Sequence, residues 1–290
     1  MKKLLILAAV ACALAACEKP SIDEAAVPSA SPNGKRFTFT LKGDFSDEWE
    51  PVTRGYLQAD GKDITDVWVL DYQDGALVQQ LHQSDNTAAD FGKPSMTLAY
   101  GSHHIYFVAS RGTGATLNTT DKTIIFSRTF DTFWQDYEVT VVSTSNGNRA
   151  VTLDRVVTRL KLGFTDAVSA DAATFNITPH TWYFGIKYQT AEPVEAKTDY
   201  TFTIQIPASE IGSTTTTANI FGFSSTTEWS TDVSVNSKKS DGTVIGSATI
   251  HNAPFKRNRI TEYTGPLFNG VGDLTLSLNT AWETSVTGTW

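Results

Sequence analysis

The sequence predicts an all-β protein: two tandem β-sandwiches behind an export signal and a short linker. Three observations carry this expectation. Apolar and polar residues alternate with a period of two in many short segments. Turn residues such as Asp74-Gly75 and Asn146-Gly147-Asn148 punctuate those segments at sandwich-like spacing. Thr, Ser and aromatic residues are frequent, whereas helix formers are modest, a bias that favours strands.

The chain starts with Lys2 and Lys3, then an apolar run from Leu4 to Ala13. This reads as a signal peptide over residues 1–16. The run is too short for a stable membrane span, which needs roughly 20 apolar residues. Leu14-Ala15-Ala16-Cys17 resembles a bacterial lipobox, where lipid is attached to the Cys sulfur. Cys17 is then the first mature residue and the lipidation site. The localisation that follows is an outer-membrane lipoprotein at the cell surface. Residues 17–34 carry Pro20, Pro28 and Pro32 without apolar periodicity and read as a flexible spacer.

Composition narrows the function classes. The formal net charge is −8, and loss of Lys2 and Lys3 brings the mature chain to about −10. Such a chain is a poor match for nucleic acid. Cys12 leaves with the signal peptide and Cys17 is lipidated, so neither a disulfide nor a thiolate zinc site is expected.

The first sandwich is expected over residues 35–146. Arg36 to Lys42 alternates Phe37, Phe39 and Leu41 with polar residues, one buried face. A long connection from Gly43 to Gly61 follows. Ile64 to Tyr72 is apolar on both faces and reads as a central strand; Asp74-Gly75 turns the chain into Ala76 to Leu81. Met96 to Tyr100, His104 to Ser110, Thr123 to Ser127 and Tyr137 to Thr144 complete the set. The second sandwich is expected over residues 149–290. Ala150 to Phe164 changes parity, which predicts a bend near Asp154-Arg155. Strands follow at Thr181 to Tyr188, Tyr200 to Ile206, Ala218 to Phe223, Val233 to Ser237, Val244 to Ile250, Arg259 to Thr264 and Leu274 to Leu278. One helical turn is expected at Pro207 to Ile211.

Four segments carry further information: Asp66-Val67-Trp68-Val69-Leu70-Asp71-Tyr72 with Asp74 to Val78, Tyr100-Gly101 with His104 to Ala109, Leu153 to Leu160, and Pro254 to Thr261 with Gly265-Pro266-Leu267-Phe268. They resemble segments of Bacteroidales fimbrillins and fimbrial anchor subunits. With the lipobox they run over nearly the whole chain. The resemblance implies two transthyretin-like sandwiches and a structural role: assembly into, or anchoring of, a surface fimbrium that supports adhesion. Its partners are other fimbrial subunits, joined by β-strand addition. In such shafts, cleavage after an Arg in the first long loop removes the first strand, and a donor strand fills the groove. Arg54-Gly55 is the matching bond, although Arg54 is equally read as an ordinary charged loop residue. The tail with Trp282, Val286 and Trp290 is read either as a donor strand for subunit contact or as the last strand of its own sandwich.

No catalytic set emerges, and an enzyme is not expected. His103 and His104 are adjacent in a strand, so their rings face opposite ways. His82 and His251 have no acidic or Cys partner at ligand spacing in the chain, and His180 reads as a turn residue after Pro179. Asp71 with Asp74-Gly75, and Asp60-Gly61 with Asp63 and Asp66, lack the spacing of a calcium loop. No metal and no cofactor are therefore expected. Of the seven tryptophans, Trp49, Trp229 and Trp282 lie in polar contexts and could form a sugar-stacking platform. That keeps a surface glycan-binding lipoprotein as the alternative. Trp68, Trp134 and Trp182 sit in apolar runs and are expected in the core.

Overall fold

The computed structural model describes residues 34–43, 64–269 and the backbone of 275–279. The elements in chain order are β1 Gly34–Gly43, β2 Asp66–Gln73, β3 Ala76–Gln83, β4 Ser95–Ala99, β5 Gly101–Ser110, β6 Ala115–Asn118, β7 Thr123–Phe126 and β8 Thr132–Val141. Then come β9 Asn148–Arg155, β10 Val157–Phe164, β11 Thr174–Pro179, β12 Thr181–Lys187, β13 Glu192–Thr198 and β14 Phe202–Gln205. A 3₁₀ turn at Ala208–Glu210 precedes β15 Thr217–Phe223, β16 Trp229–Lys238, β17 Val244–Phe255, β18 Ile260–Gly265 and β19 Thr275–Asn279. The protein is nearly all β, as its alternating sequence predicts.

A seven-stranded sheet runs β3-β2-β5-β8-β9-β1-β4. Its joint is narrow: β8 and β9 pair only at Phe133↔Arg155 and Trp134↔Asp154. Its two parts face each other as a sandwich across a common core. Phe39 of β1 meets Phe107 of β5 edge-on at 5.1 Å between ring centroids. Phe37, Val69, Leu98, Ile105, Phe133 and Leu153 fill the same core.

The second half is built from two four-stranded sheets, β15-β10-β18-β19 and β14-β11-β16-β17. Leu160, Leu162, Phe164, Phe175, Val233 and Val235 pack among them. A fourth sheet, β13-β12-β7-β6, joins strands from early and late in the chain. Its link is the antiparallel register of Gly185 to Lys187 against Ile125 to Thr123.

A third core occupies the junction. Trp68, Leu70, Tyr72, Tyr106 and Val108 of the first sheet pack with Ile124 and Phe126, and with Val157, Ile186, Tyr188, Phe221, Phe223 and Ile260. This explains why β2 and β5 read as apolar on both faces. Val67, Val69, Ile105 and Phe107 point into the first sandwich, and their neighbours point into the junction.

The turn at residues 146–148 does not separate the sheets. β9 stays in the first sheet, where Val151 and Leu153 enter its core. The expected boundary therefore falls within that sheet, and the chain changes sheet at Val156, between β9 and β10. The bend expected at Asp154-Arg155 lies one residue earlier. An ion pair fixes it: Arg155 Nε donates to Asp131 Oδ1 at 2.7 Å and Nη2 to Oδ2 at 3.0 Å, all buried. The planar guanidinium matches the carboxylate through two parallel bonds. Val156 N–H then donates to the Thr132 carbonyl at 2.9 Å.

Candidate assembly site

β1 alternates Phe37 and Phe39, both with no exposed surface, with exposed or half-buried polar residues. It lies between two neighbours of opposite sense. On one side it pairs antiparallel with β4, from Gly34↔Ala99 to Thr38↔Ser95. On the other it pairs parallel with β9, from Thr38↔Asn148 to Gly43↔Leu153. Thr38 Oγ1 and Ser95 Oγ are 2.8 Å apart. Further bonds run from Thr38 N–H to the Gly147 carbonyl at 2.7 Å and from Phe39 N–H to the Pro94 carbonyl at 2.9 Å. Gly147 is required by this approach: a Cβ there would lie 2.1 Å from the Arg36 carbonyl oxygen.

Loss of β1 would leave unpaired backbone groups on β4 and β9 and open a slot lined by Met96, Leu98, Phe107, Val151 and Leu153. Unsatisfied ladder edges above an apolar slot accept another extended chain. At the other end of the chain, β19 pairs antiparallel with β18 from Ile260↔Asn279 to Thr264↔Thr275 and is the last strand of its sheet among the described residues. The approach to it is organised by Asp166. Its Oδ1 accepts the Leu267 N–H at 2.9 Å, and its Oδ2 accepts those of Phe268 at 2.6 Å and Asn269 at 2.8 Å.

Most sequence-derived site residues lie outside the described residues: Cys17, Trp49, Arg54, Gly55, Trp282, Val286 and Trp290. Trp229 is described, and its setting differs from the exposed platform expected of it. It is half-buried against Trp182, Tyr183 and Phe255, and its indole N–H donates to Ser224 Oγ at 2.8 Å. The polar residues flanking it in sequence alternate to the other face of β16, which hides the packing of the ring. Trp68 and Trp182 are buried, as expected. Trp134 is half-buried and donates its N–H to the Tyr188 carbonyl at 2.6 Å.

The histidines are where sequence spacing misled. All five face carboxylates. His82 meets Asp66 at 2.8 Å and His251 meets Asp232 at 3.2 Å, although neither has an acidic partner at ligand spacing along the chain. The partners come from the adjacent strand. His180 likewise meets Asp199 at 3.0 Å. His103 is buried, with Nδ1 2.8 Å from Asp71 Oδ1 and Nε2 3.0 Å from the Ala99 carbonyl. Burial works to lower the His103 pKa, but the Asp71 hydrogen bond and charge outweigh it and hold it above the usual imidazole value. His104 faces the other way, as adjacency in a strand requires. It stands exposed beside Asp136 and Glu138, and the donor atoms of all three lie within 4.8 Å of one another. The cross-strand register assembles that cluster, which spacing along the chain does not reveal.

No family model matches the chain, and no curated protein matches it. Solved structures do. A protein described as a candidate adhesin from Bacteroides thetaiotaomicron superposes with a TM-score of 0.50 at 12% identity, covering 87% of this chain and 98% of its own. Another from the same organism, described as a candidate polysaccharide-binding protein, superposes with a TM-score of 0.53 at 10% identity, covering 85% and 96%. The tip fimbrial protein of Porphyromonas gingivalis aligns at 12% identity over 84% of this chain and 99% of its own, with a TM-score of 0.44. At such identities the likeness is one of fold.

Proposed function

We propose that the protein is a lipid-anchored cell-surface subunit or anchor of a fimbrium, assembling by β-strand complementation and supporting adhesion. Its role is structural rather than catalytic. The observation that carries this reading is β1: an N-terminal strand held between β9 and β4, with Phe37 and Phe39 buried, in a chain whose next segment contains Arg54-Gly55. Cleavage there would release the strand and leave a groove for a donor. The anchor form keeps β1 and is held to the outer membrane through Cys17. The Trp282–Trp290 tail follows β19, whose pairing with β18 supports reading the tail as the donor.

The test is the N-terminal state of the protein from native outer membranes, by intact mass and terminal peptides. A chain beginning at Gly55 identifies a shaft subunit. A lipidated Cys17 joined to an intact Arg54-Gly55 bond identifies an anchor. An unlipidated chain starting at Cys17 with the bond intact would sink both forms.

A glycan-binding lipoprotein is the second reading, supported by the fold shared with the polysaccharide-binding candidate. Trp229 offers little ring face, so Trp49 and Trp282 carry this alternative. Retardation in polysaccharide-affinity gels that is lost in Trp49→Ala or Trp282→Ala would favour it.

A further inference from the structure

His104 differs from the other histidines in how it meets its carboxylates. The others lie within 2.8 to 3.2 Å of a single carboxylate oxygen, a direct hydrogen bond. His104 Nδ1 stands 3.5 Å from Asp136 Oδ1 and 3.7 Å from Glu138 Oε1. Both exceed a good hydrogen bond. They instead approximate the separation of about 3.4 Å between two ligands that each sit about 2.1 Å from one tetrahedral zinc ion.

The placement follows from the ladder. β5 and β8 are antiparallel, with His104 opposite Glu138 and Tyr106 opposite Asp136. Residues two apart on a strand share a face, so His104, Asp136 and Glu138 converge from two adjacent strands. Both strands are held along their length by a ten-residue register. The ligands are thus carried by rigid elements.

The electrostatics lack a counter-charge. Among the described residues no lysine or arginine pairs with Asp136 or Glu138. Asp136 Oδ1 is covered from solvent yet has no hydrogen-bond partner. A cation between the three side chains would give Asp136 Oδ1 a partner and offset the paired carboxylates.

We infer that His104, Asp136 and Glu138 form a divalent-cation site, suited to zinc. One imidazole and two carboxylates make a mixed nitrogen and oxygen set that suits zinc better than calcium, which takes six to eight oxygens. Three protein ligands leave a fourth position for water or an incoming ligand. The site lies on the junction face of β5, beside Tyr106.

The experiment is calorimetric titration of the soluble body, residues 17–290 with Cys17 replaced by Ser, with zinc chloride. One zinc per chain is expected, with affinity reduced roughly tenfold or more in His104→Ala and in Glu138→Gln. Both side chains are exposed, so these variants should fold. His180→Ala and His251→Ala should bind as the parent does. Bound zinc should also raise the thermal midpoint of the parent and not that of His104→Ala. No zinc uptake, uptake unchanged in His104→Ala and Glu138→Gln, or loss that is equal in the His180 and His251 variants would overturn the assignment.

Discussion

The Tyr72 and Tyr188 hydroxyls are 2.6 Å apart, joining residues 116 positions apart in the chain. Tyr72 belongs to β2 of the first sheet and Tyr188 follows β12 of the bridging sheet. Both rings are buried in the junction core, within 5.6 and 6.2 Å of the Tyr106 ring respectively. Burial drives the Tyr188 hydroxyl far above the ordinary phenol range, and its bond to Tyr72 adds to the shift. Tyr188 therefore stays neutral.

Removing one hydroxyl leaves the other buried without its partner, whereas removing both leaves a matched apolar pair. Tyr188→Phe should cost about 1–3 kcal/mol, and the Tyr72→Phe/Tyr188→Phe double variant should cost less than the sum of the singles. Denaturant unfolding of the four proteins gives the coupling. Additive losses would show that the bond contributes nothing.

The bend at Arg155 rests on a buried carboxylate. Asp131 also lies 3.7 Å from Arg111 Nε, so one acid serves two buried guanidiniums. Asp131→Ala leaves two buried positive charges close together and should cost about 3–5 kcal/mol. Urea unfolding measures it. A loss under about 1 kcal/mol would mean that water reaches this site.

The His103–Asp71 pair gives a pH dependence with a definite sign. The folded His103 is held above its unfolded value of 6.5. Its stabilisation is fully present below that value and is lost as pH rises through the folded-state value. Unfolding free energies between about pH 6 and pH 9 should fall for the parent relative to His103→Gln. Parallel profiles would contradict this.

β1 should be a stabilising strand in the uncut chain. Phe39 has no exposed surface and meets Phe107 and Tyr137 edge-on. Phe39→Ala should cost about 3–5 kcal/mol through lost burial and the cavity left behind. A synthetic peptide of residues 34–43 should restore stability to a body that begins at Gly55. Failure of the peptide to bind would separate the groove from the strand that fills it.

Much of this architecture is legible in the chain. Strands with a clean period of two, such as Phe37-Thr38-Phe39, appear where expected, as does the 3₁₀ turn within Pro207 to Ile211. Three strands escape sequence reading. β13 contains Pro193 and only small or polar neighbours around Val194, β6 has four residues, and β11 ends on Pro179. Their strand state comes from pairing with β12, β7 and β16, which local propensity does not encode. The sequence shows that β2 is covered on both faces but not by what, because the covering residues include Phe221 and Ile260. The His–carboxylate pairs were hidden for the same reason: register between strands, rather than spacing along the chain, brings His82 to Asp66 and His104 to Glu138.

Strand complementation between subunits is the proposed mode of assembly, at the β1 groove where Arg54-Gly55 is cut. Its most direct test is electrophoresis of native outer-membrane protein, with and without boiling in detergent, followed by detection of this chain. Strand complementation predicts higher-mass species that contain the chain and collapse to a single subunit band on boiling, because every ladder bond must break at once. A single monomer band in both lanes, with Arg54-Gly55 intact, would contradict it.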